Sequence, residues 1–491
     1  MAENDGLRTG AQYIDGIRDD GRRVFIDGEV VRDVTAHPAF RAAVRSVARL
    51  YDIAADPANR ALMTYPSPAT GKPVLRCWEI PRVPADLTAR RAMIARWAEA
   101  TFGLMGRTPD HVAGFFAGFA AKPSVFSAAG AQWAANVTRF YEFARDRHLY
   151  LSYAIVPPQI DRSQPAHRQS DPTLYAGVTK ERDGGIVLKG AQQLATGAAL
   201  SDWLHLSCIH PLQPGDEAYA LSVAMPLSAP GLKIYSRRSY GAAAASAFDY
   251  PLSSRFDETD ALVVLDDVFV PWEHVFVYRD IALCRDQWWR TPSHVYGNHQ
   301  AQVRYSVKLR FLAGLTKRLC DITGTANLPP VQIMLGEMAA LASIVEHMVT
   351  AQEASATTDE EGVVWPSRAA LYAVMSLQSE LNPRILEIAR ELAGGSLIAL
   401  PSSIKDFANP ESAADLERYV HSPGFSANER VRLLKMAWDL IGSEFAGRHQ
   451  QYEKFYGGAS FLVKQNMYRS FDFARAERLV DAALALPDPE D

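Results

Sequence analysis

Leu149-Tyr150-Leu151-Ser152-Tyr153-Ala154-Ile155-Val156-Pro157-Pro158 is where the hydrophobic period of this chain changes. Before it, apolar residues recur three and four apart over 38–53, 86–105, 110–121 and 129–149, the spacing of helices with one buried face. Within it, aromatic and branched residues run on without that spacing and two prolines close the run, so it reads as a strand. Further extended runs follow at 174–182, 186–194, 203–209, 218–225, 232–236 and 261–265, the last leading through Asp266-Asp267 into Val268-Phe269-Val270-Pro271. Asp183-Gly184-Gly185 between the first two is a hairpin signature. After Val277 the helical period returns, over 299–323, 330–356, 366–394, 427–447 and 470–486, with Pro329-Pro330, Pro366, Pro383 and Pro401 marking starts or breaks. The expected class is therefore α+β in three units. Residues 1–149 are mainly helical, 150–277 form a β domain, and 278–491 form a helical bundle.

Smaller signals fill in the first unit. Arg23–Ile26 and Glu29–Val31 alternate around Asp27-Gly28, which predicts a tight hairpin. The Ala-Gly-rich run 113–120 predicts closely packed helices, because a helical glycine costs up to about 1 kcal/mol that packing must offset. No internal repeat and no low-complexity segment occurs.

Across 491 residues the net charge is −5, with 48% hydrophobic and 22% charged residues, which gives no electrostatic case for nucleic acid or an acidic membrane. Cys77, Cys208, Cys284 and Cys320 lie far apart, with no Cys-x-x-Cys and no metal-like His pairing, so no metal site is expected. The N-terminus MAENDGLRTG has no apolar leader, and no later run approaches the roughly 18 uninterrupted apolar residues of a spanning helix. A soluble, cytoplasmic protein with reduced thiols is the expectation.

Met105-Gly106-Arg107-Thr108-Pro109-Asp110-His111 puts a guanidinium, a carboxylate and an imidazole within five residues. Asp86 is the expected N-cap of the helix before it, and Gly106 the expected C-cap. Pro109 keeps Thr108 extended, so the chain must turn. Arg107 would then sit at a helix C-terminus, free to reach into a cavity. A solvated surface arginine is the plain alternative.

Helices, then strands, then a four-helix bundle is also the layout of the acyl-CoA dehydrogenase superfamily. Within it the chain resembles the oxygenase component of the 4-hydroxyphenylacetate 3-monooxygenase family and its phenol-hydroxylating relatives. The resemblance is carried by 33–41 (Asp-Val-Thr-Ala-His-Pro-Ala-Phe-Arg), Met105–Asp110, Ala154-Ile155-Val156 with Asp161-Arg162, and Ala195-Thr196. It continues through Asp249–Glu258, Val270-Pro271-Trp272-Glu273, Leu400-Pro401-Ser402-Ser403 and Gly442–His449. It implies an acyl-CoA dehydrogenase-like fold with a central β-barrel. It also implies a two-component flavin monooxygenase, in which a separate flavin reductase supplies reduced FAD by diffusion. O2 adds at flavin C4a, and a phenol is hydroxylated beside its OH. A homotetramer, built on the C-terminal bundle as a dimer of dimers, is implied as well.

The same resemblance assigns residues. Arg107 matches a clamp arginine that stabilises a phenolate. Where the family typically has Tyr and His, this chain has His111 and Tyr153, an exchange that favours preserved hydroxylation with altered specificity. His299 lies where some halophenol-hydroxylating relatives carry a catalytic histidine; capping or core is its plain alternative. Gln159, Ile160, Asp161 and Arg162 match a flavin-contacting loop, and Thr196 the threonine near flavin N5. Gly442, Ser443 and Arg448 match a stretch in which Arg448 would meet the FAD pyrophosphate. Ser207 and Cys208 precede the loop 210–217, which by position would cover the substrate. No Gly-x-Gly-x-x-Gly follows a strand, consistent with reduction by a separate protein. Asp257, Glu258 and Asp260 flank Arg255 and read as local charge pairing. The rival readings are oxygenation of a nitrogen or of a non-phenolic heteroaromatic, an acyl-CoA dehydrogenase or oxidase using Glu444 or Glu380 as base, and an inert structural protein.

Overall fold

The computed structural model describes residues 6–486; the first five residues, part of the stretch read as lacking a leader, and the last five lie outside it. Helix α1 (Gly10–Ile17) is capped by Thr9 and followed by β1 (Arg23–Ile26) and β2 (Glu29–Val31). Asp27 (φ 51°) and Gly28 (φ 80°) make the tight turn between them, as the dipeptide predicts. Next come α2 (Arg41–Ala55), α3 (Arg60–Met63), the small hairpin β3 (Thr64–Pro66) and β4 (Pro73–Leu75), α4 (Pro84–Ala100), α5 (Pro109–Ala121), α6 (Pro123–Ser127) and α7 (Ala131–Asp146).

Two expected caps are corrected. Val83, not Asp86, precedes α4; Asp86 sits inside the first turn, where its carboxylate accepts from the backbone N–H groups of Arg82 (2.8 Å) and Val83 (3.0 Å). The helix ends at Ala100, well before Gly106, because Phe102 (φ 54°) and Gly103 (φ 68°) turn left-handed. Arg107 consequently lies just ahead of the N-terminus of α5 and gains nothing from a helix C-terminus.

The extended middle of the chain gives β5 (Leu151–Ala154), β6 (Gly177–Arg182), β7 (Gly185–Gln192), β8 (Trp203–Ser207), β9 (Leu221–Pro226), β10 (Leu232–Ser236), a turn of helix α8 (Ser253–Phe256), β11 (Ala261–Pro271) and β12 (Val275–Tyr278). They form two sheets, ordered β2-β1-β10-β11-β7-β6 and β12-β9-β8-β5. Instead of the expected closed barrel, the described residues hold two open sheets, touching at the bridge where Gln193 N–H donates to the Val156 carbonyl (2.8 Å). The larger sheet also takes in β1, which runs parallel to β10 with Val24 opposite Ile234. Strand β11 is continuous through a bulge at Asp266-Asp267, where Asp267 takes φ 56°. β5 runs parallel to β8, with Tyr153 opposite His205.

The remainder is helical: α9 (Ile281–Trp289), α10 (Ser293–Ile322), α11 (Pro329–Ala354), the two-residue strands β13 (Thr357–Thr358) and β14 (Val364–Trp365), α12 (Arg368–Ala393), α13 (Pro410–Tyr419), α14 (Ala427–Ile441), α15 (Glu444–Phe455), α16 (Ser460–Ser470) and α17 (Phe473–Leu484). Pro383, expected to break a helix, lies within α12. α10 is the spine, packing against α4, α5, α11, α12 and α14. Its approach to α5 depends on Gly118, where a Cβ would come within 2.2 Å of the Ser293 backbone nitrogen. This is the close packing that the Ala-Gly run predicts. All four cysteines are buried free thiols. α11 departs from expectation: it is long and apolar enough to cross a membrane by length and composition, and little of it is buried in the single chain.

Candidate functional site

Thr108 sits extended at φ −65° and ψ 166°, and Pro109 opens α5 behind it. This turn delivers Arg107 to the interior rather than to solvent, 7% exposed. Its backbone N–H donates to Glu258 Oε2 (2.9 Å) and its carbonyl accepts from the Tyr150 hydroxyl. The guanidinium lies between two tyrosine rings, 5.3 Å from the centroid of Tyr153 on β5 and 5.2 Å from that of Tyr452 on α15. Burial works against its charge, but Tyr153, Tyr452 and Glu258 outweigh it and hold the pKa above the ordinary value.

His111 lies one turn into α5. Its ring centroid is 5.6 Å from that of Tyr153 and 5.1 Å from that of Phe115. Nδ1 is 2.9 Å from Gln300 Oε1 on α10. Burial, and then Arg107, press the imidazole pKa well below its ordinary value, so the ring is neutral. Three buried polar atoms in this cluster have no hydrogen-bond partner among the described residues: Arg107 Nη1, His111 Nε2 and the Tyr452 hydroxyl. An unpartnered buried donor or acceptor costs on the order of 1–3 kcal/mol, so such a group fits a ligand. Together the three fit a polar oxygen carried by an aromatic ring.

A second layer fixes the first. Arg448 forks onto Asp260 (2.9 and 2.7 Å) and reaches Glu258 Oε1 (2.9 Å). The Thr196 hydroxyl donates to Asp260 (2.7 Å), and Arg237 joins Asp260 to Asp257. Burial opposes the charge of Asp260, but Arg448 and Arg237 hold its pKa well below the usual range. Below these, Arg304 on α10 makes a double contact with Glu453 on α15, and Lys308 adds a third (2.8 Å). Burial would push Glu453 up; Arg304 and Lys308 prevail and hold it at about 2.

Arg107, His111 and Tyr153 are brought together as the sequence predicts. Others are not. His299 faces α11, with Nε2 3.1 Å from Glu353, while its neighbour Gln300 faces the cluster. The Arg448 guanidinium, expected at a pyrophosphate, is taken by Asp260 and Glu258. Ser207 is fully buried and satisfied by the Leu221 carbonyl and Gln287, and Cys208 lies buried with its carbonyl accepting from the Cys284 thiol, so neither is presented to a ligand. The Ser443 hydroxyl caps α15, accepting from Ala446 N–H, and Gly442 packs on the Trp438 ring. The acidic block does not pair locally with Arg255, which donates instead to the Pro251 carbonyl. Glu444 and Glu380, the bases of the rival reading, form surface ion pairs with Arg238 and Lys464.

Gln159, Ile160, Asp161 and Arg162 lie in an exposed loop beyond β5, where Asp161 accepts from Ser163. Leu194 (φ 63°, 60% exposed), Ile160 and Ile209 stand exposed around the same strand end, tied there by the Val156–Gln193 and Ile155–Ile209 backbone bonds. An exposed apolar rim next to a buried polar cluster fits a flat ring system such as an isoalloxazine.

Tyr452, Gln300 and Phe115 escape the sequence reading as site residues, and Glu258 is read there only as local charge pairing. One signal was available: Tyr452 is four residues after Arg448 and shares its helix face, with ring and guanidinium 4.6 Å apart.

Comparison with known proteins gives a consistent picture. The model of the 4-hydroxyphenylacetate 3-hydroxylase N-terminal region matches residues 9–277, and that of the C-terminal region 284–485. The chain is 38% identical to the (3S)-3-amino-3-(3-chloro-4-hydroxyphenyl)propanoyl-[peptidyl-carrier protein SgcC2] monooxygenase of Streptomyces globisporus, over 93% of this chain and 86% of that protein. It is 36% identical to the 4-hydroxyphenylacetate 3-monooxygenase oxygenase component of Pseudomonas aeruginosa, over 94% and 88%. Among solved structures, an oxygenase component of 4-hydroxyphenylacetate 3-monooxygenase complexed with FAD and 4-hydroxyphenylacetate superposes with a TM-score of 0.92, at 34% identity, covering 97% of this chain and 98% of that one.

Proposed function

The chain belongs to the 4-hydroxyphenylacetate 3-hydroxylase family, and from that premise we propose that it is the oxygenase component of a two-component, FAD-dependent monooxygenase that hydroxylates a phenol beside its OH. The observation that carries this reading is the cluster around Arg107, in which Arg107 Nη1, His111 Nε2 and the Tyr452 hydroxyl are all buried and unpartnered. Reduced FAD, when bound, supplies the electrons with which O2 delivers one oxygen atom to the ring.

The chain's own residues prepare the substrate. Arg107 donates to the phenol oxygen, and His111 Nε2 accepts its O–H, so electron density builds up on the ring. In a buried site such a charge–oxygen contact is far stronger than in water. Tyr153 and Phe115 wall the ring, standing perpendicular to one another at 5.6 Å. The His111/Tyr153 exchange keeps both groups beside Arg107 and so supports preserved chemistry. Thr196 and the loop 159–162 are the flavin-side residues, and Arg448 acts by holding Thr196 and Arg107 through Asp260 and Glu258.

The reductase is a separate protein, the domain layout is acyl-CoA dehydrogenase-like with units 1–149, 150–277 and 278–491, and the four free thiols support a cytoplasmic setting. A homotetramer is supported by the exposed apolar face of α11, which another copy would cover.

The test mixes the purified protein with chemically reduced FAD and ¹⁸O₂, offering 4-hydroxyphenylacetate, 4-nitrophenol and indole in turn. One labelled oxygen in a catechol product, by mass spectrometry, is expected. Reoxidation of the flavin with O2 reduced only to hydrogen peroxide, and every phenol intact, overturns the proposal.

A further inference from the structure

Gln300 donates through Nε2 to Asp110 Oδ1 (3.1 Å) and, more weakly, to Thr108 Oγ1 (3.4 Å), while Thr108 donates to the same carboxylate oxygen (2.5 Å). A carboxylate only accepts, so the amide is oriented with its NH2 toward Asp110 and its oxygen toward His111. That oxygen can only accept, which requires the proton of the neutral imidazole to be on Nδ1, 2.9 Å away. Nε2 is left as a bare lone pair, buried, without a partner, beside Arg107.

We propose that Gln300, locked by Asp110 and Thr108, is a positioning residue that holds His111 in the Nδ1–H tautomer and thereby makes the site selective for ligands that present an O–H or N–H donor. A tyrosine at position 111 could donate or accept; this histidine, so held, only accepts. Of the influences on it, burial and the two arginines outweigh the opposing pull of the Gln300 hydrogen bond. Arg107 beside it and Arg304 beyond disfavour a second proton, Phe115 and Tyr153 contribute rings, and Asp110 acts through Gln300. Burial pushes Asp110 up, against the hydrogen bonds from Thr108 and Gln300, to about 6, so the lock is set at neutral pH and above. The tautomer stands on the Gln300–Asp110 geometry and on the neutrality that burial and Arg107 impose on His111; its catalytic meaning rests on the function proposed above.

The test is ¹⁵N spectroscopy of the histidine-labelled full-length protein without substrate, the residue-111 signal being the one lost in His111→Gln. Protonated Nδ1 with bare Nε2 is expected in the wild type; a protonated Nε2 overturns the proposal whatever the activity. Gln300→Leu should abolish that signature and lower kcat for 4-hydroxyphenylacetate about 10- to 100-fold, leaving KM for reduced FAD within about twofold. Gln300→Glu keeps an acceptor at Nδ1 and, sharing one proton with Asp110, brings negative charge closer to His111, so the signature should persist and the acid limb of kcat/KM should move up by about one pH unit. A Gln300→Leu protein with an unchanged His111 signature, or two variants with wild-type pH profiles, also overturns it. A wild type that shows the expected tautomer but hydroxylates no phenol would count against the proposed function and not against the lock.

Discussion

Arg107 concentrates the chemistry of the site because its charge is buried, stacked and left with an unpartnered Nη1. Arg107→Lys should behave almost like Arg107→Ala: a lysine keeps the charge but not the planar group between Tyr153 and Tyr452. Both should lower kcat by about 100- to 1000-fold and divert reduced flavin to hydrogen peroxide, measured as the ratio of peroxide to product. Next to it, Gly106→Ala should fail for a steric reason, since a Cβ would stand 2.2 Å from the Tyr452 hydroxyl. A loss of about 1–3 kcal/mol is expected from thermal unfolding, with Tyr452→Phe in the same chain restoring part of it. At this scale the sequence was half legible. Arg107, His111 and Tyr153 could be named because the motifs that carry them resemble the family's clamp residues. His299 could not be told from Gln300, because neighbours on a helix point about 100° apart and the facing depends on how α10 is rotated against α5 and α11.

The helices are joined to one another by ion pairs that cross the core, and Glu453 is the clearest example. It ties α15 to Arg304 and Lys308 on α10. Glu453→Gln leaves both cations without a charged partner and should cost about 3–5 kcal/mol in denaturant unfolding. Because the folded carboxyl is held at about 2, below its unfolded value of 4.5, its contribution is full above 4.5 and is lost as pH falls toward 2. The wild type should therefore lose about 3 kcal/mol over that acid window, and Glu453→Gln should lose less. The elements themselves were largely legible, since the change of period at Leu149 and the Asp27-Gly28 turn are local signals. Their ends were less so: α4 stops at Ala100 because Phe102 takes a left-handed conformation, which no rule of glycine capping anticipates. The reach of Arg448 and Arg237 to the acidic block spans so much sequence that only the folded chain reveals it.

In the whole molecule, the sparsely buried apolar helix α11 is a departure from a self-sufficient chain. Ile333 (72% exposed) and Ile344 (42%) lie on it. Replacing both with glutamate should give a smaller sedimenting species in analytical ultracentrifugation, since the proposed contact between copies lies there. The two-sheet arrangement was only partly legible. Strand existence follows from local pattern, but the recruitment of β1 into the larger sheet is a long-range pairing that periodicity does not encode. That pairing bears on synthesis. Val24 and Ile26, both buried in the finished sheet, are translated about two hundred residues before β10. At ribosomal speeds of about 10 residues per second, this hairpin waits about 20 s for its neighbour, a sticky edge that a chaperone is suited to shield until the middle of the chain emerges.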